Sequence, residues 1–226
     1  MKRIFLSIPL PCNSPTLPQY LPLLPLIDGL HLDIMDGNLV PTSQGSAEEV
    51  QTVRSTTTVP LWIHAMVNDP ASVIRQLWLQ RGDIISIHYE HAQEIPGQAG
   101  ECHFKELAQL IIEHGAIPSC ALSPATPVLA ILPLLPYFHH ILLMTVTPGK
   151  SGQVMLSNSV QRYDELKRLI SNLPGHYIIG LDGGLNPQSL QQFSFTPEDD
   201  IDLAASTGIL NAQNPSQAIL EMRQSI

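Results

Sequence analysis

The sequence is short of positive charge: 11 Lys and Arg against 20 Asp and Glu give the 226 residues a formal net charge of -9. Nucleic acid and anionic membrane surfaces call for clustered Lys and Arg, so neither is an expected partner. Any anionic small molecule must instead be held by local donors. Cysteine is scarce as well: Cys12, Cys102 and Cys120 form no C-x-x-C pair and leave an odd thiol. That pattern argues against a disulfide framework, suits the reducing cytoplasm, and leaves packing as the expected role of all three. Nor is there a low-complexity segment, a sequence repeat or a linker-like shift in composition, so residues 1–226 are expected to form a single domain. Long uninterrupted apolar runs are also missing. The most apolar stretch, Pro127 to Val146, is broken by Pro133, Pro136, His139 and His140, which makes it a poor membrane span and a good helix, turn and strand. The opening MKRIFLSIPLPC carries two cations and an apolar run, but Pro9 and Pro11 cut it too short for a secretory core, and it reads as a first strand.

What the chain does have is alternation. Hydrophobic residues make up 44%, enough for a sizeable core. Eight apolar segments read as strands: Ile4 to Ile8, Leu30 to Ile34, Leu61 to Val67, Asp83 to His88, Ile117 to Leu122, His140 to Thr145, Tyr177 to Leu181 and Ile201 to Ala205. Helical patterns lie between and after them, at Ala47 to Ser55, Pro70 to Gln80, Phe104 to His114, Val160 to Ile170 and Ala212 to Met222. Pro70, Pro127 and Pro187 fit first helical turns. Near-continuous apolar strands alternating with helices indicate a parallel sheet covered on both faces, and eight such units at this length predict a (β/α)8 barrel of the α/β class.

Polar residues punctuate these strands at one end. In GLHLDIMDGNLVPT, His31 and Asp33 are two residues apart and therefore share a strand face, while Leu32 and Ile34 take the other. His64 interrupts LWIHAMV, and Asp182 ends a segment in YIIGLDGGLNP. Two imidazoles and two carboxylates can bind a divalent ion, and the carboxylates can also move protons. Any one of them is equally well a satisfied polar group at a strand terminus. In a barrel of this kind, active sites sit at the C-terminal strand ends, where His31, Asp33, His64, Asp182 and the glycine-rich loops all fall together.

The segments HLDIMDGNLVPT, IHAMV, ISIHYEHA, LSPATPV, LLMTVTPGKSGQ and LDGGLNP occur in the order and spacing of ribulose-phosphate 3-epimerase and its relatives, and the chain resembles that family over nearly its whole length. The resemblance implies a TIM barrel of the ribulose-phosphate-binding type and a metal-dependent ketose-phosphate 3-epimerase. Its default substrates would be ribulose 5-phosphate and xylulose 5-phosphate, and the family's members are commonly homo-oligomers. By the same resemblance, His31, Asp33, His64 and Asp182 match metal ligands, with Asp33 and Asp182 as the acid/base pair. Met35, Met66 and Met144 match methionines beneath the enediolate, although methionine is more often core filling. Ser7 matches a substrate-contacting serine, and His64 also faces the substrate. His88 is expected to support the site.

Phosphate would be held by Gly149, Lys150, Ser151, Gly152 and Gln153, by Gly183 and Gly184, and by Ser206 and Thr207, where small residues let backbone N–H groups approach. The metal is open among Zn2+, Fe2+, Mn2+ and Co2+, all of which accept this donor set.

The chain departs from the family in its loops. PGKSGQ stands where PGFGGQ is usual. AASTGIL replaces AGSAIF and is closer to the TSGLF of allulose-6-phosphate 3-epimerase. Ser123 replaces the asparagine of N-P-A-T-P, and TSQGSAEE lacks the usual apolar and glycine pattern. These changes leave open a six-carbon ketose phosphate as substrate, or a sugar-phosphate-binding paralogue without turnover. The Asp-x-Lys-x-x-Asp motif expected of the orotidine-phosphate decarboxylase group is absent.

Overall fold

The computed structural model describes residues 1–11, 17–92 and 97–226. Eight parallel strands close into a barrel, as the alternation predicts. They are β1 (Lys2–Ser7), β2 (Gly29–Asp36), β4 (Leu61–Met66), β5 (Ile84–His88), β6 (Ile117–Leu122), β7 (His140–Met144), β8 (Ile178–Asp182) and β9 (Ile201–Ala205). The ring follows chain order and shuts where β1 pairs with both β9 and β2. A two-residue strand, β3 (Ser43–Gln44), turns back antiparallel on the end of β2, with Gln44 opposite Met35.

Strand alternation sorts the side chains into two cores. Outward residues such as Leu30, Leu32, Ile34, Ile63 and Ile85 pack beneath the helices in one large cluster. Inward residues, among them Phe5, Trp62, Ile84, Ala121, Leu142 and Ala204, fill the barrel itself. Trp62 is fully buried and lies so close to β8 that a Cβ on Gly180 would fall 2.7 Å from the indole. Glycine is therefore the residue that fits there.

The barrel floor is polar. Trp62 Nε1 donates to Ser86 Oγ and Ser86 Oγ to Ser119 Oγ, each at 2.7 Å. Ser119 Oγ meets His140 Nδ1 at 2.7 Å, and His140 Nε2 meets Asp202 Oδ2 at 3.1 Å. Arg3 closes the chain by donating from Nε and Nη2 to the two Asp202 oxygens at 2.8 and 2.5 Å. Burial alone would raise the Asp202 carboxyl, but His140 and Arg3 hold it below its usual range.

The helices are α1 (Ala47–Arg54), α2 (Pro70–Gln76), α3 (Gln98–Glu113), α4 (Ser159–Ser171), α5 (Pro187–Leu190), α6 (Thr207–Leu210) and α7 (Pro215–Gln224). Ser46, Asp69, Asn186 and Asn214 cap α1, α2, α5 and α7 through side-chain acceptors, with Pro70, Pro187 and Pro215 just inside three of those ends. Three helix boundaries differ from expectation. α2 stops at Gln76 rather than Gln80, because Leu77 turns extended and buries its side chain. α3 begins at Gln98, six residues before Phe104. The last helix starts at Asn214–Pro215 instead of Ala212, since a capping Asn and a helix-starting Pro override the apolar periodicity upstream. Pro127 precedes a 3-10 turn, Val128–Leu134, rather than an α-helix. Cys120 packs in the core as expected, whereas Cys102 is exposed and does not; Cys12 lies outside the described residues. No described helix is long and apolar enough to cross a membrane.

Candidate active site

Register assembles the site at the C-terminal rim. Asp33 on β2 pairs opposite His64 on β4, and His31 lies one inward position below Asp33. Asp182 ends β8, and the Thr145 backbone N–H and Oγ1 both donate to its carbonyl at 2.8 Å, which pins the strand terminus. Four atoms converge. His31 Nε2 is 3.2 Å from Asp33 Oδ1 and 3.5 Å from Asp182 Oδ2, while His64 Nδ1 is 3.3 and 3.5 Å from the same two oxygens. Both imidazoles are fully buried, and the carboxylates are the parts that reach the cavity, with Asp33 30% exposed and Asp182 15%.

Charge explains the titration of this cluster. Burial would lift the Asp33 carboxyl, but the hydrogen bond with His31 and the close approach of the His64 imidazole hold it well below the usual carboxylate range. Burial would likewise depress His64, yet Asp182 and Asp33 hold its imidazolium up at about 9. The pair of carboxylates therefore favours a positive charge between them. His64 Nδ1 is a buried atom with no hydrogen-bond partner among the described residues, and it faces two carboxylate oxygens. An unpartnered imidazole nitrogen set among carboxylates fits a divalent ion, and the two-nitrogen, two-oxygen donor set suits a borderline metal.

Above the cluster lies a cavity of about 620 Å³. Its lower wall carries Ser7 from the end of β1 and Met35, Met66 and Met144 from β2, β4 and β7, with Asp33 and Asp182 opening into it. His31 and His64 sit beneath this lining rather than in it. The opposite wall is the loop Gly149, Lys150, Ser151, Gly152 and Gln153, joined by Gly183 and Gly184 after β8 and by Ser206 and Thr207 at the start of α6. Gly184 has φ +65°, and a Cβ there would sit 2.4 Å from Met155 N, so the two loops touch through backbone. The Gln153 side chain donates to Thr147 O at 2.7 Å and Lys150 O at 2.8 Å. It holds its own loop in shape, leaving backbone groups to face the cavity.

Three supporting residues were not singled out by sequence reasoning. Asp36, after the last inward residue of β2, accepts from Asn38 N at 2.9 Å and Asn68 N at 2.7 Å and so ties the β2 and β4 loops together. Thr42 Oγ1 donates to Gly149 O at 2.7 Å, a link of 107 positions that no local pattern reveals. Glu90 accepts from His88 Nδ1 at 2.8 Å, while His88 Nε2 lies 2.8 Å from His64 Nε2. The spacing of His88 and Glu90 in HYE was the available signal. Burial would raise the Glu90 carboxyl, but His88, Thr126 and Ser123 N hold it down at about 2.

Residues 25–205 match the family model described as the ribulose-phosphate 3 epimerase family. The chain is 32% identical over 163 residues to a ribulose-phosphate 3-epimerase from Treponema pallidum, covering 72% of this chain and 71% of that one. The enzyme of the same name from Bacillus subtilis is also 32% identical, with the same coverage. The fold is similar to the crystal structure of KGPDC from Streptococcus mutans, with a TM-score of 0.69 at 14% identity over 100% of this chain and 97% of that one. These relatives make the protein an isomerase that epimerises a carbohydrate. With its barrel, its strand-end His/Asp cluster and these matches in agreement, the chain belongs to the ribulose-phosphate 3 epimerase family.

Proposed function

We propose that the protein epimerises a ketose phosphate at carbon 3, with D-ribulose 5-phosphate and D-xylulose 5-phosphate as the substrate pair, by proton transfer at Asp33 and Asp182. The observation that carries this reading is the placement of the two carboxylates. They open into one cavity from β2 and β8, strands that are not adjacent in the ring, over two buried imidazoles. Inverting a carbon next to a ketone means taking a proton from one face and returning one to the other, so an acid and a base must flank the substrate. Among the described residues, Asp33 and Asp182 are the two carboxylates lining this cavity. One, ionised, removes the C3 proton; the other, protonated, delivers to the opposite face, and the reverse reaction exchanges their roles.

His31, Asp33, His64 and Asp182 would hold one divalent ion, Zn2+, Fe2+, Mn2+ or Co2+. When bound, it supplies Lewis-acid polarisation of the substrate's carbonyl and hydroxyl oxygens. Met35, Met66 and Met144 give the planar enediolate an apolar, polarisable floor that keeps water from protonating it at random. Backbone N–H groups of Gly149–Gln153, Gly183–Gly184 and Ser206–Thr207 hold the phosphate at the far wall, where the close approach of loops at Gly184 leaves main chain facing the cavity. We read the enzyme as cytoplasmic and as a homo-oligomer in line with the family. The altered PGKSGQ and AASTGIL loops form the phosphate wall, and they favour a second reading in which a six-carbon ketose phosphate such as allulose 6-phosphate is turned over by the same two carboxylates.

A metal-replete assay comparing ribulose 5-phosphate with allulose 6-phosphate tests the reaction and chooses between substrates. Turnover of neither, by protein that is folded and metal-loaded, would reduce the chain to a sugar-phosphate binder. Elemental analysis of protein purified without chelator should find about one equivalent of metal. Full occupancy after His31→Ala and His64→Ala together would overturn the ligand set.

A further inference from the structure

We propose that Glu90 is a positioning residue for His64: acting through His88, it fixes the proton of His64 on Nε2 and keeps the Nδ1 lone pair facing Asp33 and Asp182. The inference rests on the metal-site reading above and adds what sets the competence of one ligand. It follows from counting donors and acceptors along a buried line. Glu90 Oε1 accepts from Ser123 N at 3.0 Å and from Thr126 Oγ1, and Oε2 lies 2.8 Å from His88 Nδ1. A carboxylate can only accept, so His88 Nδ1 carries a hydrogen. His88 Nε2 and His64 Nε2 are 2.8 Å apart, and only one hydrogen fits between them. A neutral His88 already protonated on Nδ1 offers a lone pair at Nε2. The hydrogen between the rings therefore belongs to His64 Nε2, so the nitrogen that a divalent ion would take is Nδ1, where the two carboxylates converge.

The anchor of this line is firmly built. Arg162 donates from Nη1 to Thr126 O at 2.6 Å and from Nη2 to Ser123 O at 3.0 Å, holding the turn whose N–H and hydroxyl grip Glu90. The two imidazole planes lie 15° from parallel with centroids 4.9 Å apart, which with the short contact between the Nε2 atoms sets the rings end to end. His31 has no such line: its Nδ1 is buried with no hydrogen-bond partner among the described residues. The orientation of the two imidazole ligands is thus controlled unequally, and His64 is the one set from behind. A carboxylate that orients a metal-ligating imidazole usually touches it directly; here a second imidazole relays the effect.

Glu90→Gln is the decisive variant because it keeps size and shape but changes the direction of the line. The fixed donors Ser123 N and Thr126 Oγ1 claim the amide oxygen, so the amide NH2 faces His88 Nδ1. That nitrogen must then accept, His88 Nε2 becomes the donor, and His64 receives on Nε2 with its hydrogen moved to Nδ1, against the metal position. Zinc titrated into chelator-treated protein against a competing dye should show affinity for E90Q reduced by roughly 10- to 100-fold, with far-UV circular dichroism close to wild type. Wild-type zinc affinity in E90Q would overturn the relay while leaving the metal site standing. Wild-type protein that binds no divalent ion would instead overturn the metal-site reading on which the relay depends. Should E90Q fail to fold, long-range ¹H–¹⁵N spectra of zinc-loaded wild type still decide. They should show His88 protonated on Nδ1 alone and His64 on Nε2 alone, and a His88 protonated on Nε2 would overturn the proposal.

Discussion

Two polar clusters share the inside of one barrel, and they differ in how their hydrogen bonds close. On the floor, Trp62, Ser86, Ser119, His140, Asp202 and Arg3 form a line in which each donor meets an acceptor. None of these atoms lacks a partner. At the mouth, His31, His64, Asp33 and Asp182 bring four potential ligand atoms together, and His64 Nδ1 is left without a hydrogen bond. Both clusters contain His and Asp and both lie inside the same ring of strands, so composition does not distinguish them. Closure does: a satisfied network stabilises the fold, whereas a set of acceptors short of hydrogens calls for a cation or a proton from outside.

The contrast is broken most severely at the mouth. Asp33→Asn and Asp182→Asn should each lower kcat by at least about 10⁴-fold, the upper end of the roughly 10² to 10⁴ expected for a positioned acid or base, because each change would also disturb the proposed metal site. Melting temperatures should stay near wild type. Solvent deuterium exchange at carbon 3 is the sharper readout, and an enzyme with a single base would retain near-normal epimerisation in one of the two variants.

On the floor the pattern should invert. Asp202→Ala leaves the part-buried Arg3 and the buried His140 without their carboxylate, and breaking a buried pair such as His140–Asp202 costs about 3–5 kcal/mol. For a chain of this size that corresponds to a fall in melting temperature of about 6 to 20 °C, at about 2–4 °C per kcal/mol. Turnover per folded molecule at low temperature should change little. A large loss of kcat without loss of stability would merge the two clusters into one functional unit.

Acid should probe the same difference more gently. Asp202 and Glu90 both have carboxyls lowered in the folded state. Their stabilisation is present above the unfolded carboxylate values near 4 and is lost as pH falls through the folded ones, for Glu90 between about 4.5 and about 2. Denaturation midpoints followed from pH 5 to pH 2 should drop steeply in wild type and less steeply in Asp202→Asn. Equal slopes would mean that Asp202 is as free in the folded chain as in the unfolded one.

The smallest expected effect lies at the far wall of the cavity. Lys150 is exposed in the loop that faces the carboxylates across the site. If its ammonium pairs with phosphate, Lys150→Ala should raise KM several-fold with kcat nearly intact, the signature of lost uniform binding, and added salt should shrink the difference. An unchanged KM at low ionic strength would leave phosphate binding to the backbone of the loop.

The sequence by itself determined the barrel, because eight apolar runs separated by helical periodicity have few ways to bury both faces of a parallel sheet. It also placed His31, Asp33, His64 and Asp182 at strand ends, since strand alternation is a local property with a period of two. Helix ends were less legible: Leu77 leaves the helical path to bury its side chain, and Asn214–Pro215 restarts it, both for reasons of packing and capping rather than periodicity. Only the tertiary structure decided which polar residues converge in an open cluster at the mouth and which are struts. Arg3 finds Asp202 across 199 positions, Thr42 finds Gly149 across 107, and Glu90 reaches His64 through His88 by strand register and loop approach. A hydrogen bond depends on where two atoms end up to within a few tenths of an ångström. That position is set by closure of the whole barrel and is carried by no short segment of the chain.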